Sequence, residues 1–337
     1  MKAIGYKKPG AIDRDDALID IELPRPKATG RDLLVEVAAI SVNPVDTKIR
    51  AGATPPEGEY KVLGWDAVGR VVETGPDVKS FKVGDAVYYA GSLIRPGANS
   101  QFHLVDERIV GHKPTSLTNA EAAALPLTAI TAYEMLFDRL DIARPVPGAA
   151  NAILIVGGAG GVGSIAIQLA RALTDLTVIA TASRPETVSW VKELGAHHVV
   201  DHSKPIAEQV AALGIGGPAF VFSTTETHRH LKEIVEAIAP QGRFGLIDDP
   251  DGLDVMAFKR KAVSTHWEFM FTRSMFETAD MDAQQKLLDH VAELIDSGRI
   301  RTTVTDILSP ISAANLKKAH AIIESGKARG KIVLQDF

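Results

Sequence analysis

Residues 150–163 read ANAILIVGGAGGVG, and the rest of the chain is interpreted outward from them. An uncharged apolar run at residues 153–156 breaks into glycines, and a segment with helical spacing follows. This order predicts a buried parallel strand, a tight turn and a helix. Gly158, Gly160 and Gly163 stand at G-x-G-x-x-G spacing. Such glycines allow the turn, the approach of backbone to a pyrophosphate, and close packing of helix on strand.

Two other interpretations of this segment stay open. The same glycine spacing occurs in turns that bind nothing. No charged residue stands between Arg144 and Arg171, so a membrane span is the second alternative. However, five of the seven residues 157–163 are glycine, which argues against a helix in lipid. We therefore predict a dinucleotide site with the pyrophosphate at the helix N-terminus.

The composition is typical of a globular protein with two domains. The chain has 337 residues, of which 45% are hydrophobic and 23% charged. Its net charge of −5 predicts no binding of nucleic acid or of an anionic membrane. The absence of cysteine excludes disulfides, thiol nucleophiles and cysteine-ligated zinc. The N-terminal residues lack the apolar region of a signal peptide, so we expect a cytoplasmic location.

The pattern of elements changes along the chain. Candidate strands at residues 33–40, 67–73 and 85–89 are separated by glycine and proline turns, which suggests a compact β-barrel. From about residue 118 to residue 269, strands and helices alternate, as they do in a doubly wound parallel sheet. Two amphipathic helices and a short strand follow within residues 282–334.

The choice between NAD and NADP depends on the end of the second strand of the alternating region. An acidic residue about 20 positions beyond the glycines usually binds the ribose 2′-hydroxyl of NAD. Ser183 and Arg184 stand there instead. Without a carboxylate to repel a 2′-phosphate, and with a guanidinium to bind one, the sequence predicts NADP(H). The alternative is that Arg184 is a solvated loop residue.

Five motifs occur in register along the chain. They are SVNPVDTKIR at residues 41–50, GWDAVG at 64–69, KVGDAV at 82–87, LPLTAITAY at 125–133 and the glycine segment at 157–163. With these motifs the chain resembles the medium-chain dehydrogenases/reductases, in particular the quinone-oxidoreductase-like branch that is often labelled zinc-type alcohol dehydrogenase-like. The resemblance covers nearly the whole length.

The resemblance implies an α/β fold of two domains. A GroES-like β-barrel catalytic domain is expected at residues 1–122 and 270–337. A Rossmann domain that binds NADP, with a doubly wound parallel sheet, is expected at residues 123–269. The resemblance also implies a homodimer, and closed two-fold dimers are the commonest assemblies in general.

The chain departs from the zinc-dependent members of this family. Where they carry a cysteine, a histidine and a second cysteine as zinc ligands, it has Asn43, Trp65 and, nearby, Leu127. None of these side chains is a zinc ligand. The four-cysteine lobe that binds structural zinc is also missing. We therefore expect no metal.

Without a Lewis acid, oxidation of a simple alcohol loses its main source of activation. A quinone or an α,β-unsaturated carbonyl needs less help, because its conjugated system spreads the incoming charge. We therefore expect an NADPH-dependent, zinc-independent oxidoreductase acting on such a substrate. A zinc-dependent alcohol dehydrogenase and a non-catalytic NADPH-binding protein are the alternatives.

The expected site residues fall into two sets. Those expected to contact the cofactor are Gly158, Gly160, Gly161, Val162 and Gly163 at the pyrophosphate, Ser183 and Arg184 at the 2′-phosphate, His202 at the adenine ribose, Thr131, which matches the family's threonine near the nicotinamide, Ser223 and Thr224 at a strand end, and Lys331 at the phosphates. Asn43 and Tyr60 are expected to donate hydrogen bonds to the acceptor oxygen. Alternatively, Asn43 shapes the turn before Pro44 and Tyr60 only packs on the barrel.

Overall fold

The computed structural model describes all residues from Met1 to Phe337, and the chain divides into two units. The β-rich unit comprises Met1–Ile130 and Phe271–Phe337, and the α/β unit comprises Thr131–Met270. The boundaries expected from the sequence, after residues 122 and 269, fall slightly earlier in the chain than these.

The elements are numbered in chain order. The strands are β1 (Lys2–Tyr6), β2 (Ile19–Glu22), β3 (Asp32–Val42), β4 (Lys61–Val62), β5 (Ala67–Thr74), β6 (Ala86–Tyr89), β7 (Phe102–Asp106), β8 (Val110–His112), β9 (Ala150–Val156), β10 (Thr177–Thr181), β11 (His198–Val200), β12 (Pro218–Ser223), β13 (Arg243–Leu246), β14 (Ser264–Trp267), β15 (Val304–Leu308) and β16 (Lys331–Gln335). The α-helices are α1 (Pro44–Gly52), α2 (Asn119–Ala123), α3 (Pro126–Tyr133), α4 (Gly161–Leu173), α5 (Pro185–Glu193), α6 (Ile206–Ala212), α7 (Thr227–Ala237), α8 (Thr272–Phe276), α9 (Ala283–Asp296) and α10 (Ala313–Glu324). Glu107–Ile109 and Val255–Lys261 are 3₁₀-helical, and Glu134–Arg139 is π-helical.

A six-stranded parallel sheet forms the centre of the α/β unit. Its strand order is β11-β10-β9-β12-β13-β14, so the strands appear across the sheet in the order 3-2-1-4-5-6 of the Rossmann fold. The apolar residues 152–156 of β9 are all buried, because this central strand is covered on both faces. Leu154, Val221 and Phe244 belong to the core cluster of this unit. The direction of winding reverses between β9 and β12, and cofactors bind at the carboxyl ends of the strands at such a point.

The β-rich unit contains two sheets. The larger has the strand order β15-β16-β3-β5-β6-β8, with β7 also paired to β3, and the smaller has the order β2-β1-β4. The long strand β3 pairs antiparallel with β5 and β16. In the β16 pairing, Ile332 lies opposite Val42. This register brings the start of the last strand beside the end of β3, although the two are far apart in sequence.

The main expectations about elements are confirmed. The predicted strands at residues 33–40, 67–73 and 85–89 correspond to β3, β5 and β6, and the predicted helix that begins at residue 282 corresponds to α9. No helix combines the length and the apolar composition needed to cross a bilayer.

Candidate functional site

The glycine turn between β9 and α4 leaves no room for side chains. Gly157 has φ +79°, in the left-handed region that favours glycine, and a Cβ there would lie 2.4 Å from Thr224 Oγ1. A Cβ on Gly163 would lie 2.3 Å from the carbonyl oxygen of Gly157. Thr181 at the end of β10 fixes the turn, because its Oγ1 accepts from the Gly157 N–H at 2.9 Å and its carbonyl from the Gly158 N–H at 3.2 Å.

The first amide groups of α4 are oriented for an anion. Gly160 precedes the helix, and its carbonyl accepts the first helical hydrogen bond, from the Ser164 N–H at 2.9 Å. The N–H groups of Gly161, Val162 and Gly163 come before that bond and have no acceptor inside the helix. Together with the positive end of the helix dipole they form a cradle that suits a pyrophosphate.

The structure brings Ser183, Arg184 and His202 together beyond the end of β10. Ser183 Oγ and His202 Nε2 are 3.1 Å apart, and His202 Nδ1 is buried without a partner in the protein. Burial lowers the pKa of His202, and Arg184 lowers it further while Asp201 opposes this. The Arg184 Nε lies 3.3 Å from Glu186, and both side chains are well exposed. Ser183, Arg184 and His202 are polar, and none of them is the carboxylate that would bind the ribose 2′-hydroxyl of NAD here.

The hydroxyls of Ser223 and Thr224 both make hydrogen bonds within the protein. The Ser223 hydroxyl is buried and lies 2.8 Å from the Thr227 hydroxyl. Thr224 donates to the Val156 carbonyl at 2.9 Å, so it ties the end of β12 to the end of β9. Both hydroxyls have partners within the protein at the strand ends, and their expected contact with the cofactor stays a prediction.

The roles expected for Thr131 and Tyr60 stay predictions. Thr131 is buried in α3, one helical turn before Glu134. Tyr60 is half-buried, with the Lys7 ammonium 4.5 Å from its ring centroid. This cation–π contact holds the ring, and the Tyr60 hydroxyl makes no hydrogen bond within the protein.

A buried polar cluster, formed by Asn43, Asp66 and Lys331, occupies the β-rich unit. The three residues are exposed by 1%, 0% and 3%. Asn43 Nδ2 donates to Asp66 Oδ2 at 2.7 Å, and Lys331 Nζ lies 3.0 Å from the same oxygen. Lys331 Nζ also donates to the Asn43 side-chain oxygen, and to the Val42 carbonyl at 3.1 Å. The three hydrogens of the ammonium group therefore all have acceptors.

A second buried carboxylate, Asp46, binds backbone N–H groups next to this cluster. It accepts from the Asn43 N–H at 2.8 Å, as the N3 residue of a capping box at α1, and from the Gly64 N–H at 3.0 Å. Burial raises the pKa of Asp46 to about 7, against the opposing effect of these two amides and of Lys331. Asp66 accepts from the Leu127 N–H at 2.7 Å, and burial raises its pKa too. The backbone at Asn43, Gly64 and Leu127 is thus organised by two carboxylates.

The comparisons with known proteins identify the family. Residues 29–120 match the alcohol dehydrogenase GroES-like domain, and residues 194–334 match the zinc-binding dehydrogenase domain. A zinc-type alcohol dehydrogenase-like protein of Staphylococcus aureus (strain MSSA476) is 39% identical over 99% of both chains. The chain belongs to the medium-chain dehydrogenase/reductase superfamily. The fold expected from the sequence motifs is thereby confirmed.

Solved structures resemble this dehydrogenase/reductase over its full length. A protein from Rhizobium etli CFN 42, described as a candidate zinc-dependent alcohol dehydrogenase, is 66% identical with a TM-score of 0.99, covering 100% of this chain and 98% of that one. The quinone oxidoreductase of Pseudomonas syringae pv. Tomato DC3000 is 25% identical with a TM-score of 0.83, and mycobacterial Rv1454c, solved with NADPH, is 25% identical with a TM-score of 0.82; each alignment covers 99% of both chains.

This dehydrogenase/reductase does not offer the ligands of a zinc site. Of the three expected ligand positions, Asn43 is bound to Asp66 and Lys331, Trp65 donates its Nε1–H to the Ser92 carbonyl at 3.1 Å, and Leu127 has an aliphatic side chain. No three His, Asp or Glu side chains are grouped to hold a metal. The ammonium of Lys331 already supplies a positive charge to this cluster. The donor chemistry therefore does not fit zinc.

Two residues expected to contact the cofactor or the substrate have other partners in the β-rich unit of this dehydrogenase/reductase. Lys331 was expected to reach the phosphates, but its ammonium is buried and all of its donors are used within the β-rich unit. Asn43 was expected to donate to a substrate oxygen, but its buried carboxamide joins Lys331 to Asp66. Both residues build the interior of the unit.

Sequence reasoning missed several residues of the dehydrogenase/reductase site. Thr181 is not among the expected site residues, and nothing in its sequence context marks it as the acceptor for the glycine turn. His230 stacks edge-on to His202 with 6.1 Å between ring centroids, and only the pairing of separate elements reveals this. Glu268 is buried after β14, and its partner Arg139 lies in a separate element.

Proposed function

We propose that this protein is an NADPH-dependent, zinc-independent reductase that transfers a hydride to a quinone or an α,β-unsaturated carbonyl. The observation that carries the proposal is the buried cluster of Asn43, Asp66 and Lys331, in which the residue expected in place of a cysteine zinc ligand, Asn43, is bound to a carboxylate and an ammonium. A reductase without a Lewis acid is suited to acceptors that are already electrophilic. The similarity to a quinone oxidoreductase supports this substrate class.

The glycine turn supports binding of a dinucleotide by this chain. Any side chain on Gly163 would overlap with the backbone of Gly157, whereas without one the backbone of the turn is open to a pyrophosphate at the start of α4. When bound, the nicotinamide cofactor supplies the hydride. The protein's own contribution is to hold the diphosphate, to orient the two halves of the cofactor along the strand ends, and to exclude water.

The preference for NADPH rests on Ser183, Arg184 and His202. The guanidinium and the hydroxyl are donors for a 2′-phosphate, and His202 has a buried Nδ1 without a protein partner. Glu186 competes for Arg184, but this pair is exposed and such pairs contribute little. A similar protein, mycobacterial Rv1454c, was solved with NADPH, which supports the same cofactor class here.

Tyr60 is the residue we propose to donate a hydrogen bond to the acceptor oxygen. Its ring is held by Lys7 while its hydroxyl makes no hydrogen bond within the protein. A donor placed where negative charge develops stabilises the transition state. Replacement of Tyr60 by Phe is expected to lower kcat about tenfold or more while the affinity for NADPH stays the same.

The proposal is tested by coenzyme titration after exhaustive chelation. We expect NADPH to bind at least tenfold more tightly than NADH, and Arg184→Ala to weaken NADPH binding by about ten- to a hundredfold with little change for NADH. Lys204→Ala is the matched control, since it also removes one exposed positive charge near His202 but not the guanidinium. Equal loss in both variants would leave only a general charge effect and would contradict the specific role of Arg184.

Turnover separates the alternatives. Consumption of NADPH with 1,4-quinones or enones by the chelated protein is the expected result. Activity that disappears on chelation and returns with zinc would overturn the zinc-independent mechanism. Binding of NADPH without turnover on any acceptor would instead indicate a non-catalytic NADPH-binding protein.

We also propose a homodimer formed through the edge of the α/β sheet. Strand β14 has a neighbour only on one side, at β13, and Trp267 and Phe269 beside this edge are 55% and 49% exposed. An unpaired edge with exposed aromatic side chains is suited to a two-fold contact. Light scattering is expected to give twice the mass of the 36.0 kDa chain, and a Trp267→Lys variant is expected to be monomeric. A cytoplasmic location and an absence of nucleic-acid partners stay predictions.

A further inference from the structure

Ser183 and His202 share a hydrogen bond at the edge of the expected cofactor site. Ser183 Oγ and His202 Nε2 are 3.1 Å apart, and either group can supply the hydrogen. If Ser183 donates, the single hydrogen of its hydroxyl is used inside the protein. If His202 donates, the hydroxyl hydrogen of Ser183 stays available for a bound ligand. The direction of this bond therefore decides what Ser183 offers to a cofactor.

The other ring nitrogen, His202 Nδ1, indicates the direction of this bond. Nδ1 is buried and has no hydrogen-bond partner in the protein. Burial lowers the pKa of His202 below its ordinary value of 6.5, and the opposing effect of Asp201 is met by those of Arg184 and Arg229. The imidazole is therefore neutral at pH 7 and carries one hydrogen, on Nδ1 or on Nε2.

The groups around His202 offer no acceptor to Nδ1. Asp201 Oδ1 accepts from the N–H and the hydroxyl of Ser203 at 2.9 and 2.6 Å, and Asp201 Oδ2 lies 3.5 Å from the Lys204 ammonium. On the side of α7, the His230 ring lies edge-on to the His202 ring with 6.1 Å between centroids, and Nδ1 makes no hydrogen bond to it. Buried N–H groups that lack an acceptor are rare in proteins. The hydrogen of His202 therefore belongs on Nε2, which donates to Ser183 Oγ.

The end of β10 places this hydrogen bond next to the glycine turn. The Thr181 carbonyl accepts from the Gly158 N–H at 3.2 Å. Ser183 is exposed and stands two residues after Thr181, and two residues of extended chain span at most about 7 Å. In a Rossmann fold, the residue at the end of the second strand meets the ribose 2′ position of the cofactor. A pyrophosphate bound at the glycine turn therefore brings a 2′-phosphate within reach of the Ser183 hydroxyl.

We propose that His202 is a positioning residue for the choice of NADPH: its Nε2–H donates to Ser183 Oγ and so directs the Ser183 hydroxyl hydrogen to the 2′-phosphate. This inference rests on the proposed binding of NADPH. A phosphate monoester, whose second pKa is about 6, offers only acceptors above that pH. A ribose 2′-hydroxyl both donates and accepts, so it gains less from a fixed donor. The bond from Ser183 to the charged phosphate is expected to favour NADPH over NADH by about tenfold.

The first test compares the affinities of full-length variants for NADPH and for NADH at pH 8. Ser183→Ala and His202→Leu are each expected to weaken NADPH binding about three- to tenfold, with little change for NADH. Because His202 acts only through Ser183, we expect the double variant to bind NADPH no more weakly than Ser183→Ala does. His202→Gln is expected to keep the affinity, because the glutamine amide can also donate to Ser183. The control is His228→Gln, which removes an exposed histidine of α7 and is expected to change neither affinity.

The second test is heteronuclear NMR of the histidine side chains in the full-length protein at pH 8 without cofactor, with the His202 signals assigned by comparison with His202→Gln. We expect the hydrogen on Nε2, and a hydrogen on Nδ1 overturns the inference, whether or not the leucine variant folds. Equal weakening of NADPH binding by His202→Leu with and without the Ser183 hydroxyl also overturns it, because His202 would then act independently. Equal affinity of the unaltered protein for NADPH and NADH would instead refute the proposed cofactor, so the two failures are distinguishable.

Discussion

The buried pair of Lys331 and Asp66 gives the sharpest prediction about stability. Replacement of Lys331 by Met removes the only ammonium from the polar cluster but leaves Asp66, which is fully buried, with hydrogen bonds from Asn43 and from the Leu127 N–H. A buried carboxylate without its cation is destabilising by about 3–5 kcal/mol. Asp66 can instead become protonated, and the free energy of this protonation is an upper limit to the loss of stability.

That limit can be calculated. The ordinary pKa of the Asp66 side chain is 3.8, and burial raises it in the folded protein. Protonation of such a group at pH 7 requires about 4.4 kcal/mol, and at pH 5 it requires about 1.6 kcal/mol, at 1.36 kcal/mol per pH unit. We therefore expect Lys331→Met to reduce the free energy of unfolding by about 4 kcal/mol at pH 7 and by less than half of that at pH 5.

The assay is urea unfolding followed by the fluorescence of Trp65, which is buried in the β-rich unit, in a background where Trp190 and Trp267 are replaced by Phe. Adding Asp66→Asn to Lys331→Met removes the buried charge, so we expect the double variant to regain most of the stability and to lose the pH dependence. A loss below about 1 kcal/mol at pH 7, or an equal loss at both pH values, would refute this reasoning.

Three other predictions concern single side chains. Gly163→Ala is expected to abolish dinucleotide binding, because its Cβ would lie 2.3 Å from a backbone oxygen. In Gly160→Ala the atom nearest to the new Cβ would lie 3.5 Å away, so this variant is expected to fold. Titration with NADPH compares the two variants. Thr181→Val deprives the Gly157 N–H of its acceptor, so we expect NADPH to bind several-fold more weakly; unchanged affinity would show that the turn does not need this bond. His320 is buried with neither ring nitrogen bonded, and burial lowers its pKa from 6.5 to about 3. The stability that depends on the neutral His320 ring is complete above pH 6.5 and is lost as the pH falls toward 3. We therefore expect His320→Leu to lose less thermal stability than the unaltered protein in melting curves from pH 7 to 4. An equal or greater loss in the variant would contradict this.

Local sequence was sufficient for the elements and for the glycine turn. The run of apolar residues before the glycines predicted β9, and the glycine spacing predicted the turn and the start of α4, because these depend on neighbours within a dozen residues. Ser183 and Arg184 were also placed correctly beyond β10 by their distance from the glycines. Their partner His202 was named from the sequence, and the structure joins it to Ser183.

Roles that depend on hydrogen-bond partners could not be assigned in this way. Ser223 and Thr224 do end a parallel strand as expected, but sequence does not say which way a hydroxyl turns. The same applies to Glu268, whose carboxylate accepts from Arg139 and so joins the residue after β14 to the π-helical segment. A buried charged residue needs a partner, but the sequence does not identify that partner.

The amino-acid sequence by itself therefore determined the order of elements, the glycine turn, the absence of cysteine ligands and the family of this protein. Tertiary structure alone decided the buried partners of Asn43. Lys331 and Asp66 are 265 residues apart, and they meet because β16 pairs antiparallel with β3, which in turn pairs with β5. The physical reason is that a buried charge must find a partner, and strand register decides which side chains are near enough.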